Sequence, residues 1–97
     1  MTIEKTLNGN VAELKLTGWL DTQTAPELEA AIDALEGDVN ALVIDMAQLE
    51  YISSAGLRQV VAAYKRMKGA LTLRHVSDEI RNVLHMTGLE KRLSIEE

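Results

Sequence analysis

Apolar and polar residues alternate from Val11 to Thr17, with Ala12, Leu14 and Leu16 on one side and Val11, Glu13, Lys15 and Thr17 on the other. A period of two predicts a half-buried strand. The preceding Asn8-Gly9-Asn10 predicts a hairpin turn from a first strand over Thr2–Leu7. Gly18 is expected to end the second strand. The period then changes: Leu28, Ala31, Ile32 and Leu35 recur at helical spacing, with Thr24 placed to cap, Pro26 at a first helical position, and Gly37 as the stop. Ala41–Met46 is almost continuously apolar, as expected of a central strand. Ser54–Met67 predicts a second helix whose inward stripe is Leu57, Val60, Val61 and Tyr64. Lys65, Arg66 and Lys68 suit its negative end, and Gly69 terminates it. Leu71–Val76 alternates again as a fourth strand. Ser77 or Asp78 caps a third helix carrying Ile80, Val83 and Leu84, which Gly88 ends, and Leu93–Ile95 predicts a short last strand.

The order is strand, strand, helix, strand, helix, strand, helix and a final short strand. Right-handed crossovers in a sheet growing in one direction put every helix on the same side. The second and fourth strands each keep a polar side, which a sheet covered on both faces would not tolerate. The fold class expected is therefore α/β: a single mixed, mostly parallel β-sheet of four or five strands with the helices packed on one face. Residues 1–97 read as a single domain, without repeat, linker or low-complexity segment. Two loops, Gly18–Thr24 and Ala47–Ser53, should gather at the C-terminal ends of the strands, where open α/β sheets usually hold function.

Composition narrows the chemistry. The 97 residues contain no cysteine, which removes disulfides, thiol chemistry and zinc–cysteine sites, and the net charge of −5 with mixed signs speaks against a nucleic-acid partner. No apolar run approaches the ~20 residues that span a bilayer, so no direct membrane insertion is expected. Met1-Thr2-Ile3-Glu4-Lys5 lacks the apolar region of a signal peptide. A cytoplasmic location follows as the expectation. No metal site or cofactor is expected, since His75 and His85 have no ligand-spaced partners and no glycine-rich phosphate loop is present. Nothing resembles a hydrolytic triad or paired-carboxylate site, so the chain is not read as an enzyme.

The candidate chemistry lies at the junction after the central strand. Ser53 and Ser54 stand where a helix begins, beside unpaired N–H groups and the positive end of the helix dipole, a place that tolerates an anion. The site reads as a switch in which phosphorylation of a serine turns partner binding off; the plainer reading is that both serines are caps. Asp21 on the neighbouring loop would shape an acidic rim. Asp45 would hold the loop before the helix by accepting backbone hydrogen bonds, although either aspartate could simply form a turn. Trp19 sits beside this surface, either packed under the loop or presented as a binding anchor.

Leu42-Val43-Ile44-Asp45-Met46-Ala47-Gln48-Leu49, followed by Tyr51-Ile52-Ser53-Ser54-Ala55-Gly56-Leu57, resembles the STAS domain family, and within it the bacterial anti-sigma factor antagonists. Gly18-Trp19-Leu20-Asp21-Thr22-Gln23-Thr24-Ala25-Pro26-Glu27-Leu28 is similar to that family's first loop and helix start. The resemblance implies a partner-switching cycle. The unphosphorylated antagonist binds an anti-sigma factor of serine-kinase type and so frees a sigma factor. Phosphorylation at the helix start dissolves the complex, and a phosphatase resets it. Aligned on Ala55-Gly56-Leu57, the acceptor is Ser54, with Ser53 as the second choice. Ser53 stands where the family often has Asp, and Ala55 where it often has Ser or Thr. The partner surface implied comprises Trp19, Asp21, Thr22, Ser53, Ser54, Gly56 and Arg58. The alternative on the same fold is a docking subunit of a membrane lipid or anion transport complex. Whether the domain forms a homodimer or binds a nucleotide is left open by the sequence.

Overall fold

The structure is a computed structural model that describes residues 1–96. It comprises β1 (Thr2–Asn8), β2 (Val11–Leu20), α1 (Ala25–Asp33), β3 (Ala41–Ile52), α2 (Ser54–Arg66), β4 (Leu71–Arg74), α3 (Asp78–Met86), a 3₁₀ turn (Leu89–Lys91) and β5 (Ser94–Glu96). The strands lie in the order β1-β2-β3-β4-β5. The hairpin makes β1 antiparallel to β2, and the other three pairings are parallel. This is the mixed, mostly parallel sheet that the alternation of strand and helix patterns predicts.

One core explains the polarity of the strands. Ala12, Leu14, Leu16 and Leu20 from β2, Leu42, Ile44 and Met46 from β3, and Leu71 and Leu73 from β4 are buried. They join Leu28 and Ile32 of α1, Leu57, Val60 and Ala63 of α2, and Ile80 and Leu84 of α3 in a single cluster. Among the described residues the other face of the sheet carries no helix. There Arg74 Nη1 donates to Glu13 Oε2 at 2.8 Å and Arg74 Nε to Glu96 Oε1 at 3.0 Å, tying β2, β4 and β5 across that face. Partly exposed pairs of this kind are worth about 0–1 kcal/mol each; they select register more than they stabilise.

The strands run further than their pattern suggests. β2 continues through Gly18 to Leu20, and β3 continues through Ala47 to Ile52, so most of the expected Ala47–Ser53 loop is strand. The reason lies in the pairing. Lys15 and Thr17 face Asp45 and Gln48, and Gly18 and Trp19 face Leu49 and Tyr51, so β3 holds one residue more than β2 at each step. Two bulges therefore break the period of two in Met46-Ala47-Gln48-Leu49-Glu50-Tyr51 while returning Leu49 and Ile52 to the core. Gly18 adopts φ +105°, which a residue with a Cβ rarely takes, and so lies within the distorted stretch of β2 where it was expected to end the strand.

Smaller differences have local causes. β4 stops at Arg74 because His75 turns to φ +57°. The inward stripe of α2 is Gly56, Leu57, Val60 and Ala63, leaving Val61 and Tyr64 half-buried. The first helix ends at Asp33, with Leu35 beyond it. Ser77 caps α3 by accepting from the Ile80 N–H at 3.2 Å.

Candidate functional site

A single residue, Ser53, connects β3 to α2. Its backbone N–H donates to the Leu20 carbonyl at 2.9 Å, so the strand-to-helix junction is tied to the end of β2. Its side-chain oxygen accepts from the Gly56 N–H at 3.2 Å, satisfying one of the donors that a helix start leaves open. Ser53 is thus a working N-cap. Ser54 is the first helical residue and is exposed, and its hydroxyl has no hydrogen bond among the described residues. The two adjacent serines have separate circumstances: one is bound into the fold and one is open to solvent.

Gly56 explains how close this junction lies to the sheet. A methyl group at its Cα would fall 2.8 Å from both Leu20 Cγ and the Leu20 carbonyl oxygen, and 2.9 Å from Ile52 Cγ1. It is buried, so it brings the helix start down onto β2 and β3 and offers no side chain to a partner.

Asp21 begins the turn into α1. Its Oδ1 accepts from the backbone N–H groups of Gln23 and Thr24 at 3.0 and 3.1 Å and from the Thr24 hydroxyl at 3.2 Å. The single Thr24 hydroxyl proton is shared between this carboxylate and the Trp19 carbonyl, which is nearer at 2.8 Å, so Thr24 makes no side-chain cap to α1 and braces the end of β2 instead. Asp21 therefore acts as a turn-forming aspartate that remains half-buried, and Thr22 beside it is exposed.

Asp45 lies in the strand, as the Ala41–Met46 run predicts, and the backbone it holds is a bulge of that strand where a loop was expected. It sits within β3 at the first bulge, 8% exposed. Its Oδ1 accepts from the Ala47 N–H at 2.9 Å, a backbone donor inside the bulge, and lies 3.0 Å from His75 Nδ1. Burial would raise its pKa. The Ala47 N–H, the His75 ring and the nearby Lys15 ammonium outweigh that and hold the carboxyl below its ordinary value. His75, which sequence spacing treats as incidental, is a member of this pair. His85 pairs with Glu90 at 3.0 Å. Among the described residues no group of His, Asp and Glu is arranged to hold a metal.

Trp19 lies neither under the loop nor beside Ser54's helix face. Alternation with buried Leu20 turns it to the helix-free face of the sheet, where it is 56% exposed against the 48% exposed Tyr51. Their ring centroids are 5.4 Å apart and the planes are tilted by 51°. Arg58 is on the helical layer. It lines an open groove of about 480 Å³ that begins at Ser54 and is floored by Leu57, Val61 and Leu89, with Lys65 further along α2. The expected surface thus divides: Ser53, Ser54, Asp21 and Thr22 belong to the strand-end rim, Trp19 to the open sheet face, and Arg58 to the groove. Tyr51 and Lys65, which were not among the expected surface residues, lie against Trp19 and along the groove respectively. Lys65 is seven residues after Arg58, with Val61 between them on the same groove.

The chain is similar to several known proteins. The anti-sigma-B factor antagonist of Staphylococcus aureus is 29% identical over 101 aligned positions, covering all of this chain and 94% of that protein. The crystal structure of an anti-sigma factor antagonist from Mycobacterium paratuberculosis superposes with a TM-score of 0.87 at 31% identity, covering 98% of this chain and 84% of that one. A sulfate transporter family protein from Wolinella succinogenes shares the fold, with a TM-score of 0.79 at 19% identity over 95% of this chain and 80% of that one. The family profile described as "Mlab, STAS domain" matches residues 3–96, and the chain belongs to the STAS domain family.

Proposed function

We propose that this chain is an anti-sigma factor antagonist that binds an anti-sigma factor of serine-kinase type when unphosphorylated, releasing a sigma factor, and is switched off by phosphorylation of Ser54. The observation that carries the reading is the contrast at the head of α2, where Ser53 is engaged as the cap and Ser54 presents an unbonded hydroxyl to solvent. Likeness over the full chain to an anti-sigma-B factor antagonist supports the assignment of partner class.

The switch would act through charge and leave the fold as it is. A phosphate adds about −1.5 to −2 charges and three acceptor oxygens. At the first residue of a helix, the open N–H groups and the dipole accommodate it, with about 0.3–1 kcal/mol in its favour. In an interface the same group must be desolvated and matched, and every 1.4 kcal/mol lost weakens binding about tenfold. A phosphatase would restore the binding form.

Affinity capture with the wild type, Ser54→Ala and Ser54→Asp, followed by identification of the captured protein, tests this. A kinase-like regulator should come down with the first two and be lost with the third. Equal recovery with all three rejects the charge switch. Recovery of a permease or transport ATPase in place of the regulator would favour the docking role, which the fold shared with a sulfate transporter family protein keeps in view.

A further inference from the structure

The two flanks of α2 are treated differently. On the side facing α1, polar groups are matched: Gln59 Nε2 donates to Glu29 Oε2 at 3.1 Å and Arg66 pairs with Asp33. Ile32 of α1 lies between these acidic positions and packs into the core. On the other side, Arg58 and Lys65 line the groove that runs from Ser54 to Leu89. Among the described residues neither has a carboxylate within ion-pairing reach. Glu90, next to the groove's far wall, is taken by His85. The groove is lined by these two cations and no carboxylate, a local excess of positive charge in a chain of net charge −5.

We infer that this groove is the seat of an acidic amphipathic helix belonging to the partner protein, one that repeats on the free flank of α2 what α1 does on the covered flank. Arg58 and Lys65 are seven residues apart, which is about 10 Å along a helix axis. A docked helix meets both with carboxylates two turns apart, and its apolar residues between them rest on Leu57, Val61 and Leu89. Charge complementarity selects this occupant over a basic helix or an anionic lipid surface, because the cations flank an apolar floor and do not form a continuous basic patch. The inference deepens the proposed function and rests on it for the identity of the partner: Ser54 lies at the head of the groove, where an added phosphate would face the incoming carboxylates and compete for Arg58, four residues on.

A displayed library of 18-residue helical peptides, randomised on one face and selected against the unphosphorylated chain, tests the groove by itself. Selected peptides should carry Asp or Glu at two positions seven apart with apolar residues between, and amide shifts on binding should fall in Ser54–Lys65 and Thr87–Leu89. Arg58→Glu and Lys65→Glu should each weaken the best peptide about fivefold or more, and more so at low salt. Val61→Ser provides a test without any charge change, and circular dichroism melts confirm that each variant is folded. Selection of basic or uncharged faces, shifts centred on Trp19 and Tyr51, or indifference to both reversals would overturn the inference. These outcomes are independent of the Ser54 capture experiment, which can fail while the groove still binds, and the reverse.

Discussion

Gly56 and Leu20 touch with no room for a side chain between them: a Cβ on Gly56 would sit 2.8 Å from the Leu20 carbonyl oxygen. In an exposed helix, Gly→Ala gains about 0.5–1 kcal/mol from reduced backbone entropy. Here the opposing atom is main chain at the end of β2, bonded to the Ser53 N–H, and cannot rotate aside. Overpacking of this kind costs about 1–3 kcal/mol, so the clash wins. Gly56→Ala should lower the melting temperature, by roughly 4–8 °C for each kcal/mol, and loosen protection of the Ser53 amide in hydrogen exchange. A rise in melting temperature would show that α2 does not sit this tightly on the sheet.

The Asp45 carboxyl, held by the Ala47 N–H and the His75 ring, sets a pH dependence whose sign follows from its lowered pKa. Its folded pKa is depressed, so its contribution is fully present above the unfolded value of about 3.9 and fades as pH falls through the lower folded value. Asp45→Asn removes the charge and weakens the acceptor for the Ala47 N–H, an expected cost of about 1–3 kcal/mol. The difference between wild type and variant should be largest above pH 5 and shrink toward pH 3 in denaturant titrations across that range. A constant difference would mean that the charge is not what matters.

Ser54→Asp should melt within a few degrees of the wild type, because the helix start accepts a negative charge and Ser54 makes no bond that is lost. Ser53→Ala should cost more, about 0.5–2 kcal/mol, since it removes the cap to Gly56. Thermal melts of the two variants side by side distinguish the roles of the neighbours; a collapse of Ser54→Asp would make that position structural.

Trp19 is the chain's one tryptophan, which makes the open face easy to observe. Its emission should be that of a solvent-exposed indole, quenched by iodide, and Tyr51→Ala should increase the quenching. Trp19→Ala should cost about 1 kcal/mol or less, the scale of a cross-strand aromatic pair. Emission typical of a buried indole would place the ring elsewhere.

Most of the architecture was legible because Ala12, Leu14 and Leu16 and the helical stripes each obey a single period, and because Pro26, Gly69 and Gly88 mark boundaries. The region from Met46 to Tyr51 was not, since two bulges add a residue each and local alternation there reports neither face correctly. For the same reason the stretch that Asp45 holds looked like a loop when it is a bulge, and Trp19 looked adjacent to Ser54 when successive strand residues point to opposite sides. The pairs Asp45–His75 and Trp19–Tyr51 each join residues 30 or more positions apart, a relation no local pattern carries. The junction placed both serines at a helix start, the family resemblance put Ser54 ahead of Ser53, and the fold adds that the Ser53 oxygen is bonded to the Gly56 N–H while Ser54 is exposed.

The one-residue link between β3 and α2 leaves the head of that helix no slack. A group added there would have nowhere to be absorbed and no lever to pull, so on the proposed reading any message would be written on the outside of the molecule, to be read as altered texture.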